Sequence, residues 1–246
     1  MSLAESLRGA VLRGDAEEAL LIIDSEPGAF HGSDLVGVSV SRGDGPMTAA
    51  LLSRGFSPES MAHGVFSALA YSAELGLDEC VAALLAGGAQ IDRRGRASWT
   101  ALMRAAWAGE ADCCIMLLEA GADTSVADAH GQQALHFAAV RGRTLCAQAL
   151  LAHGAPIDAL DGDGRTPLMA AAGEPWLEDA DKICECSLML LKSGASASLR
   201  DHNGFSALDL ATRANGFSSL ASQLELAEIQ EAAGNPTGLG GRPPRL

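Results

Sequence analysis

Aromatic side chains are scarce in this chain, at 4% of 246 residues with a single tyrosine, although 48% of the residues are hydrophobic. A core of that kind is filled by Ala, Leu and Val in closely apposed helices rather than by large rings. Positive charge is scarce too: 17 Lys and Arg against 31 Asp and Glu leave a net charge of −14. Nucleic-acid affinity rests mainly on cations that neutralise phosphates, and anionic membrane surfaces select basic patches, so neither is an expected partner. No apolar run approaches the roughly 20 residues that span a bilayer. The opening Met-Ser-Leu-Ala-Glu-Ser lacks the charged-then-apolar order of a secretory signal. These absences lead to the expectation of an intracellular protein without membrane insertion, cytoplasmic rather than nuclear. Six histidines are spread along the chain, none with a Ser, Cys or carboxylate arranged as nucleophile and base. No enzymatic activity, cofactor or metal is expected.

What is abundant is glycine, 28 residues, and it recurs on a period. Leu-Leu pairs fall at Leu51/Leu52, Leu84/Leu85, Leu117/Leu118 and Leu150/Leu151, each 33 residues after the last, and Leu190/Leu191 follows after 40. Gly55, Gly88, Gly121 and Gly154 keep the same step, with Gly194 again 40 on; Gly43, Gly76, Gly109 and Gly142 form a second series. Each copy reads as two short helices. In the copy from Trp99 to Gly121, Thr100 is placed to cap a helix with Leu102, Ala105 and Ala106 on one face. Gly109 ends it, and a second helix runs from about Ala111 to Glu119, stopped by Gly121. Helices this short cannot bury their apolar faces alone, so the copies must stack.

The segment Asp161-Gly-Asp-Gly-Arg-Thr-Pro-Leu-Met-Ala-Ala-Ala resembles the ankyrin consensus, and Gln133-Ala-Leu-His-Phe-Ala-Ala resembles it as well. The likeness is clear over residues 62–228 and degraded over 2–61. It implies an all-α ankyrin-repeat solenoid of helix-turn-helix units, with β-hairpin-like finger loops and first helices lining a concave face. Seven repeats are counted. Residues 1–61 hold an N-terminal cap and a poorly matched second repeat, in which Gly43-Asp-Gly-Pro weakens the middle. Repeats follow at 62–94, 95–127, 128–160, 161–200 and 201–228. The sixth of the seven carries an insertion, Gly173-Glu-Pro-Trp-Leu-Glu-Asp-Ala-Asp, expected as an extended inter-helix loop. The last becomes more polar, as a terminal cap should, and 229–246 is expected to be a disordered tail.

Cys80, Cys113, Cys146 and Cys186 share one register in the second helix and are expected as core thiols. Neighbouring helices pack at about 8–10 Å, whereas a disulfide needs Cα atoms within about 7 Å. Cys184 and Cys186 are too close to share a helix face for zinc. Asp161-Gly-Asp-Gly lacks the oxygen ligands and closing Glu of a calcium loop and reads as a finger turn. In the family, the histidine at the His136 position bridges backbone groups of neighbouring repeats, which is a structural role.

The variable positions of such repeats are the finger tips and the end of the first helix. Here they hold Phe66 and Leu75, then Arg96, Trp99 and Trp107, then His130 and Arg141, and Trp176 lies in the insertion. Trp and Arg dominate binding hot spots. Trp99 and Trp107 either cover gaps within the stack or form a partner-binding patch, and the patch is the preferred reading. The family implies a non-catalytic protein–protein interaction module, acting as adaptor or scaffold through its concave face on a partner with a basic surface. A permanent subunit of a large assembly and an inhibitor of a partner enzyme are the alternatives. The chain itself is expected as a monomer or as a subunit of a hetero-complex.

Overall fold

A computed structural model describes residues 3–26, 30, 34–62, 66–173, 180–214 and 218–234. It divides into two compact bodies, Met1–Ala105 with Asp112–Asp123, and Ala106–Ala111 with Thr124–Leu246. The helices of the first are α1 (Leu3–Arg13), α2 (Ala16–Ser25), α3 (Leu35–Ser41), α4 (Gly45–Ser53), α5 (Ala68–Glu74) and α6 (Asp78–Ala86). The division runs through α7 (Ala101–Ala108) and the start of α8 (Ala111–Glu119). The second body holds α9 (Ala134–Val140), α10 (Thr144–Ala152), α11 (Pro167–Gly173), α12 (Ala180–Lys192), α13 (Ala207–Arg213) and α14 (Ser218–Ala232). One finger forms a hairpin of β1 (Met61–Ala62) and β2 (Phe66–Ser67), pairing Met61 with Ser67 and Ala62 with Phe66. The all-α fold class is as the sequence predicts.

Within each body the helices form two layers. First helices pack on first helices, α1 on α3 on α5 and α9 on α11 on α13; second helices do likewise, α4 on α6 and α10 on α12 on α14. The first leucine of each pair, Leu51, Leu84, Leu117, Leu150 and Leu190, is fully buried, and the thiols of Cys80, Cys113, Cys146 and Cys186 are buried beside them. The two glycine series have different causes. Gly142, with φ +62°, sits between helices where a Cβ would come within 2.6 Å of the Lys182 carbonyl carbon. Gly154, with φ +83°, has nothing near such an atom, so only its backbone conformation calls for glycine there.

Backbone groups left open between repeats find side-chain partners. His136, fully buried, accepts the Gln133 N–H at Nδ1 (3.2 Å) and lies 3.1 Å from the Arg165 carbonyl at Nε2. An amide N–H can only donate, so the ring proton is on Nε2 and points to Arg165. Burial lowers the imidazole pKa from its usual range, with the Arg165 carbonyl opposing. In the second body Asp128, Asp161 and Asp201 each take two backbone N–H groups at 2.8–2.9 Å and tie down their finger turns. A further series on the 33-residue period accepts backbone N–H groups of the next repeat: Glu59 from Gln90, Asp92 from Asp123, and Asp158 from Ser196. The remaining position of that series is Ser125, and the residue in register opposite it is Pro156, which has no N–H to donate.

Four details depart from the sequence reading. Gly43-Asp-Gly-Pro does not weaken the second repeat: Asp44 caps α4 by accepting the Met47 N–H at 2.9 Å, and Pro46 occupies its first turn. The insertion is not all loop, because α12 has 13 residues against 9 in α10 and starts four residues earlier in the repeat. Residues 174–179 lie outside the described residues. Helix α14 continues to Ala232, past the expected end of structure at 228. Its face is not uniformly polar either, with Leu226 and Ile229 exposed by 52% and 59%.

Candidate functional site

Two side-chain clusters stand out at the variable positions, one in each body. In the first, Phe66 and Trp99 occupy the same register one repeat apart, each just before a first helix. Arg104, one turn into α7, places its guanidinium 4.2 Å from the Phe66 ring centroid and 5.2 Å from that of Trp99. Its Nη1 donates to Glu74 Oε2 at 2.6 Å. Tyr71 adds a ring 6.5 Å from Phe66, at an interplanar angle of 27°. A guanidinium over a ring contributes about 0.5–2 kcal/mol, the upper end when water is excluded. The Arg104 side chain is only 11% exposed, so the two half-buried rings are held in place while keeping part of their area in solvent. Leu75, at the C-cap of α5, is 51% exposed.

The finger that carries Trp99 is strained. A 3-10 turn covers Arg96–Ser98, and Ala97 (φ 58°) and Ser98 (φ 62°) both lie in the left-handed region. Ser98 stands in register with Gly131 and Gly164, where the fingers of the next two repeats use glycine for this turn. Non-glycine residues held in such conformations cost about 1–3 kcal/mol each. Thr100 then caps α7, accepting the Met103 N–H at 3.3 Å.

In the second body, Trp107 meets Phe137 edge-on, at 6.1 Å and 81°, and the Arg141 guanidinium lies 4.6 Å from the Trp107 centroid. Arg143 Nε donates to the Trp107 carbonyl at 3.4 Å. Gly109 makes room for that arginine, since a Cβ there would lie 2.6 Å from Arg143 Cδ. Farther along, Arg213 covers Phe205 at 4.2 Å.

Of the residues singled out from sequence, Phe66 and Trp99 thus share one cluster, and Trp107 and Arg141 the other. His130 sits exposed at a finger tip, its carbonyl accepting the Gly162 N–H at 2.8 Å. Arg96 lies in the strained turn, with its side chain outside the described residues, and Trp176 is outside them altogether. Sequence reasoning missed Arg104, Arg143, Tyr71 and Phe137. A signal existed: Tyr71, Arg104 and Phe137 are spaced by 33, one register of the first helix filled by two rings and a cation.

The chemistry of these clusters is that of contact. Burial raises the thiol pKa values of Cys80 and Cys184, and pushes that of Cys186 up to about 12, so these sulfurs stay protonated at neutral pH. Among the described residues no group of three or more His, Cys, Asp or Glu side chains could hold a metal ion, and no helix is long and apolar enough to cross a membrane.

Two family profiles match the chain: ankyrin repeats (3 copies) over residues 36–128, and ankyrin repeats (many copies) over residues 135–174. No curated protein matches it.

Proposed function

The chain belongs to the ankyrin-repeat family, whose repeats are in general protein–protein interaction modules and typically non-catalytic, and from that premise we propose that it is an adaptor or scaffold binding one protein partner. The observation that carries this reading is the placement of rings in a chain with few of them. Phe66, Trp99 and Trp107 are half-buried at outward repeat positions, each fixed by an arginine. Rings whose rotamers are already set lose little entropy when a partner covers them, which is what makes Trp and Arg effective anchors. Leu75, His130, Arg96 and Arg141 complete the expected contacts, with Trp176 in the insertion. The net charge of −14 favours a partner with basic surface, whose association rate falls as salt rises.

The test is affinity purification from the native cell with mass spectrometry, comparing the wild-type chain with Trp99→Ala/Trp107→Ala and with Leu75→Asp. Leu75 is exposed, so its substitution leaves the core intact. One protein recovered by the wild type and lost from variants that still unfold cooperatively supports the reading. The same proteins recovered with all three would show that these side chains serve the fold alone.

A further inference from the structure

Six arginines of the described chain are paired with carboxylates: Arg13, Arg54, Arg93, Arg104, Arg165 and Arg200. With 31 acidic residues against 17 basic ones, a guanidinium here has carboxylates to spare. Arg141 and Arg143 are different. Both converge on Trp107, Arg141 on its ring and Arg143 on its carbonyl, and neither forms an ion pair among the described residues. Arg141 Nε is also buried without a hydrogen-bond acceptor among the described residues. A buried charged donor left unmet is expensive, and two like charges anchored on one residue add repulsion. An anion relieves both.

We propose that Arg141 and Arg143, organised by Trp107, form a receptor for an acidic side chain of the partner, an Asp or Glu set within an otherwise basic surface. The proposal rests on the adaptor reading above. Contact with the Trp107 ring restrains the Arg141 guanidinium, whose planar fork of N–H groups is the geometry that a carboxylate accepts in bidentate fashion. A small in-plane rotation gives Nε the acceptor it lacks, while Arg143, pinned by Gly109 and the Trp107 carbonyl, supplies a second positive charge. Long-range attraction between an acidic protein and a basic partner sets the rate of encounter. A single inverted pair at Trp107 sets the register, because no basic side chain can take that place without like-charge repulsion.

A phage-displayed library of random 12-residue peptides, selected on the full chain, tests this. Enriched peptides are then synthesised and their binding measured by fluorescence anisotropy. The expected result is an Asp or Glu in the enriched peptides whose change to Asn or Gln weakens binding about tenfold or more. Arg141→Gln should weaken the parent peptide equally, and combining the two changes should add little. Arg141→Lys keeps the charge but not the planar fork, and should also lose several-fold; it serves if Arg141→Gln lowers the urea midpoint. Peptides that bind Arg141→Gln and Arg141→Lys as well as wild type overturn the carboxylate receptor and leave the adaptor reading standing. If no peptide is enriched, or binding ignores Trp99→Ala and Trp107→Ala, the adaptor reading falls and this proposal with it.

Discussion

Replacing His136 by alanine removes a side chain that joins two backbone segments of the second body through both of its ring nitrogens. The Gln133 N–H loses its acceptor and the Arg165 carbonyl its donor, at a site with no solvent exposure. Each buried group left unpaired costs about 1–3 kcal/mol, and the vacated ring volume adds a cavity term, so His136→Ala should destabilise by about 3–5 kcal/mol. The charge state matters as well. Both hydrogen bonds require the neutral ring, because a proton on Nδ1 would face the Gln133 N–H donor to donor. Burial has lowered the folded-state pKa. Below about pH 6.5, therefore, the unfolded chain takes up a proton at this residue that the folded chain resists. The contribution is complete above that pH and is lost as pH falls toward the depressed folded value. Urea titrations at pH 7.5 and 5.5, followed by circular dichroism, measure both effects. Wild type should lose stability between the two, and His136→Gln should lose less of it. A penalty for His136→Ala below about 1 kcal/mol, or a pH dependence unchanged by removing the imidazole, would refute the reasoning.

Three further outcomes are expected. Gly142→Ala should cost at least about 2–3 kcal/mol, since it forces a side chain into the left-handed region and against the Lys182 backbone, whereas Gly154→Ala should cost only about 1 kcal/mol; equal urea midpoints would contradict this. Glu231 anchors α14 by accepting from the Ala197 N–H (2.7 Å), the Ser198 N–H (3.1 Å) and the Ser196 hydroxyl (3.1 Å). Burial alone would raise its carboxyl pKa, but the bonds from Ser198, Ala197 and Ser196 outweigh that and hold it below the ordinary range. Its stabilisation is thus present above the ordinary glutamate range and lost as pH falls through the lower folded value, so hydrogen exchange in α14 should accelerate in acid and, in Glu231→Gln, at every pH. Iodoacetamide at pH 8.5 should label Cys184 first, the only thiol of the six that is not fully buried; early labelling of Cys80, Cys113, Cys114, Cys146 or Cys186 would show the second-helix layer to be loose.

How far the sequence reaches depends on the range of the forces involved. The Leu-Leu pairs, both glycine series and the second-helix cysteines repeat because every copy meets the same neighbour, so one-dimensional spacing determined the fold, the helix boundaries around Thr100 and Gly109, and the core thiols. The role of His136 follows the same logic. Spacing also placed Phe66, Trp99, Trp107 and Arg141 at outward registers. Local chemistry outran the consensus in the second repeat, where Asp44 and Pro46 make a sound helix start from residues that match the family poorly. What only the tertiary structure decided is which partner each outward side chain takes. Nothing in the spacing says that Arg104 finds Glu74 and two rings while Arg141 and Arg143 find one tryptophan and, among the described residues, no carboxylate. Nor does it say that part of the sixth repeat's insertion is spent on an extra helical turn. Those outcomes turn on side-chain reach and on the choice among competing neighbours, which a periodic pattern leaves open.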